Sequence, residues 1–252
     1  MDTLFVQFTM TLPPPATPRL ILLPGLACDA GMWHRQLTAL PAHVAASVTD
    51  VHTRCASIET MASTLLAEQA GDLVLCGASM GGMLAMEVAR QAPARIRGLA
   101  LLGTSARPED AATRALREAA IVLFEQGRMA EVLQANLPLA FDATRAADAT
   151  LHQAYLDMIH RAGAAQLLAQ NRAVIGRPDA LAHIGRLRCP VLVLCGETDQ
   201  LTPADRSHEM AAAIPGAELA LLPQCGHMLT MEQPEAVNTQ LLNWLTRVVP
   251  AV

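Results

Sequence analysis

The stretch Leu73-Val74-Leu75-Cys76-Gly77-Ala78-Ser79-Met80-Gly81-Gly82 decides how this chain is read. Its first half is an uninterrupted apolar run with the signature of a strand buried on both faces. Its second half is G-x-S-x-G, followed by Met83, Leu84, Met86, Glu87 and Val88 in helical spacing up to Pro93. A strand, a tight glycine-flanked turn and a helix put the serine at the tip of a sharp bend. Glycines at 77 and 81 let the two arms of that bend approach, and the bend lifts Ser79 Oγ clear of the sheet. The helix N-terminus behind the serine favours a developing negative charge. G-x-S-x-G alone recurs in ordinary packing turns, so the strand before it and the helix after it give it meaning.

Working outward, an acid and a histidine follow at the ends of later strands. Asp199 lies in Gly196-Glu197-Thr198-Asp199-Gln200-Leu201-Thr202-Pro203, just past the run Val191 to Cys195. His227 lies in Gln224-Cys225-Gly226-His227-Met228, after the strand expected over 218–222. Loops at the carboxyl ends of strands are where catalytic groups sit in an open α/β sheet. Glu197 follows Gly196 too closely to have left the strand. Asp205, after Pro203, reads as a first-turn helix acid. The other seven histidines, His34, His43, His52, His152, His160, His183 and His208, fall in helical patterns or away from a post-strand glycine loop and are read as structural. The order Ser, Asp, His is that of α/β-hydrolases. In that arrangement His227 takes and returns the serine proton while Asp199 fixes its tautomer. A second strand and turn, Arg19 to Asp29, precedes a helix pattern that contains the apolar residues Met32, Trp33, Leu37 and Leu40. The N–H of Leu26 in that turn would join that of Met80 as an oxyanion hole.

These segments together resemble small α/β-hydrolase enzymes, the bacterial carboxylesterases of the pimeloyl-carrier-protein methyl ester esterase type. The matching residues are Leu22-Leu23-Pro24-Gly25-Leu26, Gly77 to Gly82, Gly196-Glu197-Thr198-Asp199 with Thr202-Pro203, and Gly226-His227 with Glu232-Gln233-Pro234. Relatives usually carry His-Gly where this chain has Pro24-Gly25, which keeps the Leu26 N–H and removes a polar side chain beside it. The resemblance implies an α/β-hydrolase fold, a mostly parallel, doubly wound sheet with a helical cap insertion. Residues 19–104 and 187–252 would form the core and 105–186 the cap. Residues 1–18 would be an extension in which Leu4 to Met10 offers one leading strand and Pro13-Pro14-Pro15 a stiff spacer.

The expected cap has helical patterns over 111–126, 129–136, 147–162 and 164–174, broken at Gly127, Pro138, Gly163 and Gly176. In the family such an insertion covers the serine. Leu123, Phe124, Leu133, Leu137, Leu139, Phe141, Tyr155, Met158, Ile159 and Met228 are the candidates for an apolar substrate pocket, with packing of the cap against the core the alternative role for most of them.

Composition narrows the chemistry further. The chain has 252 residues, enough for one sizeable core, and 52% of them are hydrophobic. No run reaches the roughly 18–20 apolar residues of a membrane span, and Asp2 with no basic cluster does not read as a signal peptide. A cytoplasmic protein is expected. All 18 cationic side chains are arginine, so lysine Schiff bases, pyridoxal-phosphate anchors and Walker lysines are excluded. A net charge of −5 disfavours nucleic acid. Cys28, Cys55, Cys76, Cys189, Cys195 and Cys225 show no C-x-x-C or metal-ligand spacing and read as reduced core thiols, with Cys28 and Cys225 near the catalytic loops. No metal and no dinucleotide cofactor is expected.

The expected activity is therefore hydrolysis of a small carboxylic ester with an apolar acyl or alcohol part, through an acyl-enzyme. Acyl transfer and carbon–carbon bond hydrolysis use the same triad and stay open, as does a ligand receptor on this fold. A carrier-protein substrate is not favoured, because segment 105–186 carries nine arginines against nine acids. Its one basic feature is Arg114 and Arg117 on one helical face, with Arg128 nearby.

Overall fold

A computed structural model describes residues 18–249; the leading strand expected over 4–10 lies outside them. Six strands, β1 (Arg19–Leu23), β2 (Ala46–Val48), β3 (Leu73–Ala78), β4 (Ile96–Leu102), β5 (Val191–Gly196) and β6 (Glu218–Leu222), form one sheet in the order β2-β1-β3-β4-β5-β6. Every neighbouring pair is parallel. The helices are α1 (His34–Ala39), α2 (Val51–Arg54), α3 (Ile58–Glu68), α4 (Met80–Gln91), α5 (Ala111–Glu125), α6 (Met129–Ala140), α7 (Ala149–Ile175), α8 (Leu181–Ile184), α9 (Ala204–Ala213), α10 (Leu229–Glu232) and α11 (Pro234–Val248).

Strand residues alternate between two apolar layers, as the pleat requires. Ile21, Leu23, Leu75, Leu101 and Val193 pack with α3, α4 and α9 through Met61, Leu65, Leu84, Val88 and Met210. Leu22, Val74, Cys76, Leu102 and Leu194 pack on the opposite face with Trp33 and, from α11, Leu241, Trp244 and Leu245. Both faces are covered, so the sheet is doubly wound, as expected. Trp33 and Trp244 are completely buried, each removing an indole from water. The helix after β1 departs from expectation in one detail: Gln36 is buried and donates to Thr230 O at 3.2 Å, while Leu37 is exposed.

Helices α5 to α8 all lie between β4 and β5. Leu99 and Leu102 of β4 pair with Val191 and Leu194 of β5, so this long excursion leaves and returns to adjacent strands. Its base is closed by a backbone hydrogen bond from Ala180 N–H to Ala106 O at 2.9 Å and by the buried ion pair of Arg177 with Glu109 at 2.8 Å. The breaks at Gly127 and Gly163 are real turns, with φ of 73° and 72°, and the second one kinks α7. Pro138 does not break its helix. α6 runs on for two residues past it to Ala140, whose carbonyl is taken by Met228 N–H at 3.0 Å. No helix among the described residues is long and apolar enough to cross a membrane.

Candidate active site

Ser79 joins β3 to α4 with φ 51° and ψ −119°, a conformation an L-residue adopts only under restraint, at a cost on the order of 1–3 kcal/mol. The restraint is visible. Ser79 N–H donates to Leu102 O at 2.9 Å, and Ser79 O accepts from Gly82 N–H at 2.9 Å and from Thr104 Oγ1 at 2.7 Å. The bend brings backbones so close that a Cβ at Gly77 would sit 2.2 Å from Gly81 O, and one at Gly81 would sit 2.0 Å from Leu23 O. No larger residue fits either position.

Asp199 and His227 are hydrogen-bonded, His227 Nδ1 to Asp199 Oδ2, at 2.8 Å. Asp199 is 4% exposed and takes three further hydrogen bonds from nitrogen and oxygen donors, besides a long one from Cys195 Sγ at 3.9 Å. Oδ1 accepts from the N–H of Leu201 at 2.9 Å and of Thr202 at 2.8 Å, and Oδ2 accepts from Thr202 Oγ1 at 2.8 Å. Burial pushes the Asp199 carboxyl upward, but the His227 imidazole and the His227 and Thr202 hydrogen bonds outweigh it and hold the group below the ordinary carboxylate range. Glu197 is exposed, and Asp205 lies in the first turn of α9.

The loop after β4 joins the two halves. A side chain at Gly103 would lie 3.2 Å from Asp199 Oδ2 and 3.6 Å from His227 Nδ1, and the next residue, Thr104, holds the Ser79 carbonyl. The structure therefore gathers Ser79, Asp199 and His227 at the carboxyl ends of β3, β5 and β6. It includes no hydrogen bond between Ser79 Oγ and His227 among the described residues; such contacts are often long before substrate binds.

The Pro24–Cys28 turn lies against the serine, with a Cβ at Gly25 falling 3.4 Å from Ser79 Cβ. Its Gly25 N–H donates to Met32 Sδ at 3.4 Å. The N–H groups of Leu26 and Met80 have no protein acceptor among the described residues.

Residues expected to line a pocket fall into two touching groups. Phe124, Leu133 and Ile159, with Leu123, pack on Leu26 and Ala27. Phe141, Met158 and Met228, with Leu137, pack with Cys28 and Ala78. Tyr155 belongs to both and meets Phe141 edge-on at 5.3 Å between centroids. Leu139 is half-buried and joins neither group.

Burial raises the Cys28 thiol to about 12 and pushes Cys225 higher still, so both are inert core thiols rather than reactive groups at the rim. The arginine face dissolves into ion pairs: Arg114 with Glu118 at 3.5 Å, Arg117 with Glu109 at 3.0 Å and Arg128 with Glu131 at 2.6 Å.

Sequence reasoning gave no role to three residues that build the site, although Thr202 and Glu232 fall in the matching motifs. Thr202 caps both oxygens of Asp199, and Thr104 fixes the elbow. Glu232, 3% exposed, accepts Gly226 N–H at 2.9 Å through Oε1 and Asp142 N–H at 2.8 Å through Oε2, tying the histidine loop to the end of α6. Burial raises the Glu232 carboxyl despite those two donors. The G-H-x-x-x-x-E spacing was the available signal for Glu232. Thr202 had one too, as a hydroxyl three residues after the acid.

Among solved structures, a thermophilic esterase from Thermogutta terrifontis superposes with a TM-score of 0.84 at 26% identity, covering 93% of this chain and 92% of the esterase. An enol-lactonase from Burkholderia xenovorans LB400 superposes at 0.82 with 23% identity, covering 91% and 92%. In sequence, the chain is 27% identical over 257 residues to the "Putative carbamate hydrolase RutD" of Escherichia coli O26:H11, covering 95% of this chain and 96% of that protein. The fold is that of the α/β hydrolases. The family model for Hydrolase_4, serine aminopeptidase S33, matches residues 38–234, and the chain belongs to that hydrolase family.

Proposed function

We propose that the protein hydrolyses carboxylic esters with an apolar acyl or alcohol portion through an acyl-enzyme on Ser79. The observation that carries this reading is the strained serine at the N-terminus of α4, beside a buried, hydrogen-bonded Asp199–His227 pair. With Nδ1–H donated to Asp199, the His227 proton sits on Nδ1 and Nε2 is the basic nitrogen. Nε2 takes the Ser79 proton as Oγ attacks the carbonyl carbon, and the Asp199 carboxylate stabilises the resulting imidazolium. The carbonyl oxygen becomes an oxyanion held by the N–H groups of Leu26 and Met80. Collapse expels the alcohol with the His227 proton, and a water activated by His227 then releases the acid. Helices α5–α7 act as a cap whose apolar side chains on the Leu26–Cys28 turn suit an alkyl group and exclude water. Because Arg114, Arg117 and Arg128 each face an acid, free small esters rather than esters on an acidic carrier protein are the substrates.

Similarity to carbamate hydrolases supports a second substrate class, since the same attack cleaves a carbonyl flanked by nitrogen. A panel of p-nitrophenyl esters from acetate to laurate, with a p-nitrophenyl carbamate and an aminoacyl p-nitroanilide, tests both. Ester turnover that peaks at short to medium chains and disappears in Ser79→Ala is expected. Carbamate or anilide turnover exceeding every ester would replace the ester reading, and no Ser79-dependent turnover at all would end it.

A further inference from the structure

The Leu26–Cys28 turn is held by a buried side chain from the far end of the excursion. Ala27 has φ 62°, in the left-handed region that alanine avoids. Its N–H has one acceptor among the described residues, the Oε1 of Gln170 at 2.8 Å. The other end of the same amide, Nε2, donates to His52 O at 2.9 Å. His52 closes the circuit by donating from its own Nε2 to Cys28 O at 2.9 Å. A carbonyl accepts only, so a proton is on Nε2, and burial lowers the His52 imidazole below its ordinary range. Gln170 is 1% exposed and sits on α7 beyond the Gly163 kink. Around it the turn is packed by Phe124, Ile159 and Leu167.

An apolar side chain would fill that position at less desolvation cost than an amide. What the amide adds is direction: it clamps the residue that follows Leu26, on the loop that touches Ser79. Arg161, before the kink, also reaches this loop, pairing with Asp29 at 2.8 Å, but that pair is largely exposed and weakly restraining. We propose that Gln170 is a positioning residue for the oxyanion turn, holding Ala27 left-handed so that the Leu26 N–H stays aimed at the oxygen of the reacting carbonyl. The inference rests on the ester-hydrolysis reading, and it acts on the transition state alone, because the ground-state carbonyl does not need the full oxyanion geometry.

The test uses p-nitrophenyl butyrate turnover, butylboronic acid inhibition and hydrogen exchange at Ala27 in wild type, Gln170→Met, Gln170→Glu and Arg161→Gln. Methionine keeps the volume and removes both hydrogen bonds. Glutamate keeps the acceptor for Ala27 N–H. Gln170→Met should lower kcat by about 10- to 100-fold with KM within about twofold, since losing one whole oxyanion donor costs about 10²- to 10³-fold. The boronic acid, which mimics the tetrahedral adduct, should weaken by the same factor, and the Ala27 amide should exchange faster. Gln170→Glu should retain more kcat than Gln170→Met, and Arg161→Gln should stay within about twofold of wild type. Folding is checked by thermal melting, and if Gln170→Met does not fold, the Gln170→Glu kcat, KM and Ala27 exchange decide: unchanged kcat with unchanged exchange overturns the inference. So does a folded Gln170→Met with wild-type kcat, a loss confined to KM, or an equal loss in Arg161→Gln. Fluorophosphonate labelling separates the two levels. If wild type labels at Ser79 and the Gln170 variants match it in kcat, only this inference falls. If wild type does not label at Ser79, the ester-hydrolysis reading itself falls and takes the inference with it.

Discussion

Replacing Asp199 by asparagine changes one atom and should remove nearly all turnover, for a reason readable in the hydrogen bonds. Oδ1 of Asp199 accepts two backbone N–H groups, from Leu201 and Thr202, and neither can reverse. The asparagine oxygen must occupy that position, because its NH2 there would face two donors. The NH2 then takes the place of Oδ2, opposite His227 Nδ1 at 2.8 Å. To accept from it, Nδ1 must give up its proton, which moves to Nε2, the nitrogen that has to serve as base. The Thr202 hydroxyl, 2.8 Å from Oδ2, can rotate to accept, so the side chain stays in place with the wrong tautomer locked beside it. A wrong-tautomer triad loses about 10⁴ in kcat, equivalent to about 5.4 kcal/mol of barrier. Stability should fall far less, by about 1–3 kcal/mol for the lost charge-assisted bonds.

Steady-state kinetics on the best p-nitrophenyl ester, normalised to folded protein, reads the first number, and thermal melting reads the second. Glu197→Gln and Asp205→Asn should each stay within a few-fold of wild type. The melting curves carry a pH signature as well. The Asp199 carboxyl is held below its ordinary value, so its contribution is fully present above an unfolded pKa of about 3.9 and is lost as pH falls through the folded pKa. The Tm gap between wild type and Asp199→Asn should therefore be widest near neutrality and shrink in acid. An Asp199→Asn enzyme within tenfold of wild type, or an equal loss in Glu197→Gln, would refute the assignment.

Gly81→Ala should yield little folded protein or lose more than about 4 kcal/mol, since its Cβ would meet Leu23 O at 2.0 Å with no flexible side chain to yield; a Tm within 5 °C of wild type contradicts the elbow geometry. Glu232→Ala strands the buried N–H groups of Gly226 and Asp142, so a Tm drop of about 5–15 °C is expected, with Glu232→Gln recovering part of it; equal melting of Ala and wild type would discount the anchor. Iodoacetamide at pH 7.5 should leave Cys28 and Cys225 unmodified and turnover intact, and peptide mapping that finds Cys28 alkylated with activity lost would reverse the conclusion that both are inert.

Local grammar made the sheet legible. Strands buried on both faces announce themselves as runs such as Val191 to Cys195, and the expected strand over 218–222 coincides with β6. Ser79, Asp199 and His227 each stand beside a strand end and a glycine, a pattern carried within ten residues. Gln170 and His52 stand beside nothing of the kind. Their role comes from contacts 143 and 118 positions apart, and no spacing along α7 distinguishes Gln170 from a surface glutamine. Leu37 and Gln36 exchanged roles for the same reason, since the buried acceptor, Thr230 O, is supplied by α10, far along the chain. Pro138 misled through a rule that holds in helix interiors, whereas here it lies in a last turn.

The hydrogen bond between Ala106 and Ala180 makes the segment holding α5, α6 and α7 a side branch with its stem pinched shut. The ends of the branch are fixed by strand pairing, so changing its length alters chain entropy by only about 0.6 kcal/mol per doubling. A branch of different length is therefore compatible with the same sheet. Two of its attachments to the core limit that freedom most directly: the Ala140 carbonyl beneath the histidine loop and the Gln170 amide on the oxyanion turn. A transplanted branch that reproduces its apolar lining but neither of those two atoms would arrive with a new pocket over a slackened catalyst.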